Sequence, residues 1–242
     1  MSTAPTSRES QRRTRLLLGA ALHLGVAIAL ITIAVNGASA LLPVSLSLRT
    51  AGHGEFAVVD LAAAAVIVAL IAVLCRVFAA TASRESHQRG LWYLEFSQLS
   101  GITVFLVAQL NGITEAGTLI LCYAIAAGLV ALLWVQSRAT DDLRRAAWPF
   151  CAGAAIAVVP WGIVALYQVT GLALDAPLAP LVRVMTVVML ALFAALWWIE
   201  RRWQLGLETD ARADVVRAAV TVAMTLSLLV LAVGLARPSA LL

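Results

Sequence analysis

Seven long apolar stretches occupy nearly all of this 242-residue chain, over about 16–36, 57–80, 91–113, 116–136, 147–169, 179–199 and 213–236. A helix needs about 20 mostly apolar residues to cross a bilayer, and each stretch meets that length. In lipid every backbone polar group must find its partner inside the protein, so uninterrupted apolar runs of this kind fold as helices. A membrane barrel would instead show strands of alternating residues. Hydrophobic residues make up 62% of the chain and charged residues 12%, which assigns it to the polytopic membrane proteins. The connections are short and hold no soluble domain. The expected fold class is therefore all-α: a cytoplasmic N-terminal tail over 1–15 and one seven-helix membrane domain over 16–242. The basic start, MSTAPTSRESQRRTR, has the look of a signal peptide. The apolar stretch after it is too long for one and ends in no clean small-residue cleavage site, so it is read as a retained first helix.

All 17 basic residues are arginine, and the chain contains no lysine. Their distribution predicts an orientation. Arg8, Arg12, Arg13, Arg15, Arg76, Arg84, Arg89, Arg138, Arg144, Arg145, Arg201, Arg202, Arg212 and Arg217 fall on one side of the expected membrane. Only Arg49, Arg183 and Arg237 fall on the other. Arginine-rich loops stay in the cytoplasm, so the N-terminus is expected inside the cell membrane and the C-terminus outside. The net charge of +4 then implies contact with anionic lipid rather than with nucleic acid.

The segments carry a resemblance. The third begins GLWYLEFSQLSGITVFLVAQL, an aromatic-rich start followed by Glu95, Phe96, Ser97 and, one turn on, Ser100. The first has GAALHLGVAIAL with His23. The fifth reads WPFCAGAAIAVVPWGIVALYQ, with Pro149, Phe150, Gly153, Pro160, Trp161 and Tyr167; the sixth has Phe193 and Trp198 in LALFAALWWIERRWQ. This series resembles the heliorhodopsins, seven-helix microbial rhodopsins of inverted topology. The resemblance implies the same orientation as the arginine count, a small β-hairpin in the first outer loop, and a homodimer associated with it. The loop itself agrees: Val44, Leu46 and Leu48 alternate with polar residues before a turn through Gly52 and Gly54.

The departures from the family pattern bear on its chromophore. Met224 stands where the resemblance puts the retinal-linking lysine, and no other lysine can replace it. Arginine is not a useful amine nucleophile. Val220 stands for a family serine one turn earlier, Arg76 for a second-helix histidine, and Leu196 for an asparagine. Covalent retinal is therefore not expected. The residues of the former chromophore site are Glu95, Ser97, Ser100, Met224, Val220, Trp161, Phe193 and Trp198, with His23 and Arg76 as members of a cytoplasmic polar cavity. Helical rise sets Glu95 about 7 Å and Met224 about 10 Å inside the cytoplasmic ends of their helices, so the two can face each other.

Each of these residues also has a plainer reading. Glu95 is a functional candidate as an intramembrane acid, or a side chain that hydrogen-bonds Ser97 or a neighbouring helix. Arg76 is a partner for Glu95 that replaces the lost Schiff-base charge, or, more simply, a side chain that snorkels to headgroups. A lone histidine such as His23 is more often a satisfied packing residue. Asp60 and Arg183 either pair or snorkel independently, and Gln109 and Asn111 cap the third helix or face water. Trp92, Trp134, Trp148 and Trp203 fit an interfacial aromatic belt. Cys75, Cys122 and Cys151 are scattered and read as buried apolar residues. No catalytic constellation and no metal-ligand cluster is present in the pattern, so an enzyme is not expected.

Two function classes follow. The first is a heliorhodopsin-like, non-enzymatic sensor or regulator that acts on a cytoplasmic or membrane protein partner, or holds a hydrophobic ligand non-covalently; retinal is not expected as its cofactor, and a photosensor with non-covalently bound retinal stands as a separate alternative. The second is an ion or small-molecule transporter or channel lined by Glu95, Arg76 and His23, against which stands the absence of an inverted repeat.

Overall fold

The seven stretches form seven helices long and apolar enough to span a bilayer. The computed structural model describes residues 7–48, 52–82, 84–138 and 148–236. Its elements are α1 (Ser7–Val35), β1 (Leu41–Leu48), β2 (Gly52–Asp60), α2 (Leu61–Thr81), α3 (Glu85–Leu110), α4 (Ala116–Arg138), α5 (Trp148–Ala173), α6 (Pro180–Gln204) and α7 (Asp210–Gly234). Arg49, Arg144, Arg145 and Arg237 lie outside the described residues, as does the side chain of Arg8. The other arginines except Arg183 gather where α1, α3 and α7 begin and α2, α4 and α6 end. We call this the arginine-rich end and the opposite one the hairpin end.

The hairpin is antiparallel, with Leu41 opposite Asp60 and Leu48 opposite Gly52. Leu42 and Val44 turn into the protein while Phe56 and Val58 point out, the period-2 alternation of a half-buried ribbon. A second contact pins it to the α3–α4 connection. The Ser45 N–H donates to the Thr114 carbonyl at 2.7 Å, and the two hydroxyls meet at 3.0 Å. Next to it, Glu115 caps α4. It accepts the Thr118 backbone N–H at 2.6 Å and hydroxyl at 2.8 Å, and these bonds hold its carboxyl below the usual carboxylate range.

Helix boundaries depart from the sequence expectation for local reasons. The second helix begins at Leu61, not 57, because residues 57–60 continue β2. Asp60 then caps α2, its carboxylate accepting the Ala63 N–H at 2.8 Å; it does not pair with Arg183. Helix α1 begins at Ser7 rather than 16, and its polar first turns lie along the start of α7. Arg12 sits 3.4 Å from Asp214, and Arg15 donates to the Ala211 carbonyl at 3.4 Å. Helix α3 runs over 85–110 instead of 91–113 and stops before Gly112, whose φ of 88° suits glycine. Helix α6 continues through Gln204, past the expected end at 199.

Helix α3 lies in the middle, touching α2, α4, α5, α6 and α7, while α1 packs on α2 and α7. The α1–α2 contact is built from small residues. Ala62, Ala65, Ala69 and Ala72 of α2 and Ala20 and Ala27 of α1 are all buried. In lipid, helices associate through close backbone approach rather than the hydrophobic effect, which explains the choice of alanine. Helix α5 is the most outward-facing. Its Gly153 accepts the Trp197 ring so closely that a Cβ there would sit 2.5 Å from the indole.

Loss of the α2 cap is expected to cost about 1 kcal/mol. Asp60→Ala should therefore lower the thermal unfolding midpoint in detergent while Asp60→Asn holds it, and equal midpoints for both would remove the cap from the account.

Candidate functional site

Four helices bring charged and polar side chains together inside the arginine-rich half of the bundle. Arg76 of α2 and Glu95 of α3 are both 3% exposed. Arg76 donates from Nε at 2.9 Å and Nη2 at 2.8 Å to the same Glu95 oxygen. Its Nη2 also bonds the Thr221 hydroxyl of α7. His23 of α1 is fully buried, with Nε2 3.9 Å from that Glu95 oxygen and Nδ1 3.1 Å from the Thr225 hydroxyl of α7. Snorkelling is thus the wrong reading for Arg76: its guanidinium turns inward because Glu95 and Thr221 supply acceptors there. Among such groups an ion pair survives burial only when both partners are paired and hydrogen-bonded.

Gly19 makes the space. A Cβ at that position of α1 would fall on Arg76 Nη1. The Arg76 head therefore occupies the space that a side chain at this position of α1 would take.

A second ionic layer lies about one turn nearer the arginine-rich end. Glu200 of α6, fully buried, accepts the Tyr93 hydroxyl of α3 at 2.6 Å, the Arg217 guanidinium of α7 at 2.6 Å and Gln204 at 3.2 Å. Arg217 also reaches Asp214 at 3.2 Å. Its guanidinium carbon lies 4.7 Å from the ring centroids of both Trp92 and Trp203. A cleft of about 70 Å3 runs beside this layer, past Gln88, Arg89, Trp92 and Arg217, down to Arg76 and Glu95.

The remaining expected site residues separate into inward and outward groups. Met224 is fully buried in an apolar cluster with Phe96, Met189, Phe193, Leu196 and Leu228, and Val220 and Trp161 pack on its edge. Trp161 and Phe193 meet edge to face at 5.5 Å. Ser100 is fully buried as well, its hydroxyl without a partner among the described residues. Ser97 does not join them. Two residues beyond Glu95 is about 200° around a helix, and Ser97 donates instead to the Ala127 carbonyl of α4 at 3.0 Å. Trp198 is 64% exposed, because Phe193, Leu196 and Trp197 already occupy the inner face of α6. At the hairpin end, Asn111 and Gln109 are buried rather than facing water. Asn111 bonds Thr186 at 2.9 Å and Gln168 at 2.7 Å, tying α3 to α6 and α5.

A family model described as Heliorhodopsin matches residues 16–205. The chain belongs to the heliorhodopsin family. The matched stretch reaches from α1 to the end of α6 and carries His23, Arg76 and Glu95; α7 lies beyond it. A search of the curated proteins finds no match. The sequence resemblance to heliorhodopsins thus holds for the family and the seven-helix fold.

Sequence reasoning missed Thr221, Thr225, Tyr93 and Glu200. The α7 residues had a signal: Arg217, Thr221 and Thr225 recur every four residues, which stacks them on one helix face. Glu200 had none, since an acid followed by two arginines at a helix end reads as interfacial.

Removing one partner of a buried pair leaves the other uncompensated, at about 3–5 kcal/mol. Arg76→Gln should accordingly lower the unfolding midpoint sharply, while the double variant Arg76→Met/Glu95→Met recovers most of the loss. Gly19→Val should resemble Arg76→Gln, and near-parental stability of Gly19→Val would show that Arg76 does not need the gap.

Proposed function

We propose that this heliorhodopsin-family membrane protein has exchanged its chromophore charge for a protein charge and works without covalent retinal. The single observation that carries this reading is the Arg76 guanidinium bound directly to Glu95. In a retinal protein of this architecture the corresponding carboxylate would face a protonated Schiff base. Here it already has its cation, together with the Thr221 hydroxyl on the Arg76 head.

The residues present do not fit retinal held as a Schiff base. The chain offers no lysine. Met224, proposed as the former attachment position, is fully buried in the same apolar core as Leu228, Met189 and Leu196. No step of chemistry is assigned to the chromophore. The chain is read as a non-enzymatic sensor or regulator with its arginine-rich end toward the cytoplasm, where basic side chains meet anionic headgroups. Its partner there is a cytoplasmic or membrane protein. The homodimer that the resemblance implies belongs to the same reading, with Phe56 and Val58 exposed on β2 available to a second copy. The apolar cluster beyond the Arg76–Glu95 pair weighs against a continuous ion path and so against a channel.

Incubating the purified protein with all-trans retinal tests the reading. The expected result is free-retinal absorbance alone, with no visible band and no change on hydroxylamine addition. A stable red-shifted pigment would overturn it. A hydroxylamine-resistant band without covalent attachment would favour a photosensor with non-covalent retinal.

A further inference from the structure

The second ionic layer differs from an ordinary interfacial pair. One α7 side chain, Arg217, is inserted into a cage built by two other helices. Trp92 of α3 and Trp203 of α6 face its guanidinium, each at 4.7 Å, and Glu200 closes the site at 2.6 Å. Tyr93 holds Glu200 from α3, so α3, α6 and α7 meet on one guanidinium. Aromatic faces and a buried carboxylate together form the kind of site that recognises a desolvated cation, and here the protein supplies that cation itself.

Three further features give the cage a relation to the Arg76–Glu95 centre. Arg217 is 8% exposed, yet its Nε has no hydrogen-bond partner among the described residues, and Arg217 lines the cleft that leads to Glu95. Its carbonyl accepts the Thr221 hydroxyl at 3.0 Å, and that same hydroxyl receives Arg76. One turn of α7 therefore belongs to both layers. Finally, α6 and α7 are joined by the short turn 205–209, with Gly206 at φ 72°, so their ends at this side are held as a pair.

We propose that the Arg217 cage is a latch: while Arg217 sits between Trp92 and Trp203, α7 is held against α3 and the cleft stays narrow, and its withdrawal opens the cleft onto Arg76 and Glu95. The latch rests on the reading of that pair as the functional centre, but its mechanical content stands apart from retinal. Local opening of this kind is set by the contacts a segment loses on moving. Here the contact of this end of α7 with α3 centres on one side chain, while α1 and α6 hold the rest of the helix.

Cys75 is the natural probe. It lines the cleft and is 6% exposed. In the full-length protein carrying Cys122→Ala and Cys151→Ala, the rate at which a small maleimide labels Cys75 reads the opening. Arg217→Gln and Glu200→Gln are expected to raise that rate about tenfold, equivalent to about 1.4 kcal/mol. Tyr93→Phe, which keeps the ring and loses only the bond to Glu200, should raise it less. Arg138→Gln removes a guanidinium stacked on Trp134 at the end of α4 and should leave it unchanged. Millimolar methylguanidine should slow labelling again in Arg217→Ala, since the vacated cage fits it, and should not do so in Glu200→Gln. Unchanged Cys75 rates in Arg217→Gln and Tyr93→Phe, with unfolding midpoints near the parent, would overturn the latch. If Arg217→Gln fails to fold, an unaltered rate in Tyr93→Phe does the same. A retinal pigment would sink the proposed function and leave these rates untouched, so the two readings fail separately.

Discussion

A charged pair placed inside a bilayer-spanning bundle has no weak version. Arg76 and Glu95 are almost wholly buried, and each is tolerable because the other is within hydrogen-bond reach. That requirement propagates outward. Arg76 needs an α1 backbone without a side chain, hence Gly19. Its outer amine needs an acceptor, hence Thr221 on α7. Glu95 needs a fixed height on α3, which the bonds of Tyr93 and Asn111 on the same helix help to set. The arrangement of α1, α2, α3 and α7 is in this sense dictated by two side chains.

The two ends of the molecule solve the burial problem differently. At the hairpin end the fully buried polar groups are neutral. Asn111, Thr186 and Gln168 exchange amide and hydroxyl bonds, and Ser45 staples the ribbon to Thr114. At the arginine-rich end the groups are ionic and aromatic, with one guanidinium held in each layer. Neutral bonds are numerous and individually modest. Ionic cages concentrate their strength in single residues.

Much of the fold was legible because its cause is one-dimensional. Seven apolar runs of sufficient length leave a chain in lipid little choice, and the alternation of Val44, Leu46 and Leu48 announced the hairpin. Boundaries shifted where two causes competed, as at residues 57–60, which satisfy both a strand and a helix start until Asp60 settles the matter by capping. The candidate site was half legible. Glu95, His23 and Arg76 stood out as polar residues in apolar runs, and they do converge. The direction of Arg76 was not readable, because snorkelling and pairing look alike until the neighbouring helix is in place. Trp92 and Trp203 were taken for belt residues for a related reason: a tryptophan near an arginine at a helix end has the same sequence signature whether it faces lipid or encloses a cation.

The gap at Gly19 also bears on what a lysine at Met224 would meet. Under the proposed reading, a lysine placed at Met224, about one turn beyond Thr221, would bring a second cation toward a carboxylate already paired with Arg76. Removing Arg76 first would leave Glu95 uncompensated and a void against the α1 backbone. On that reading, neither substitution alone gives Glu95 a single, matched cation.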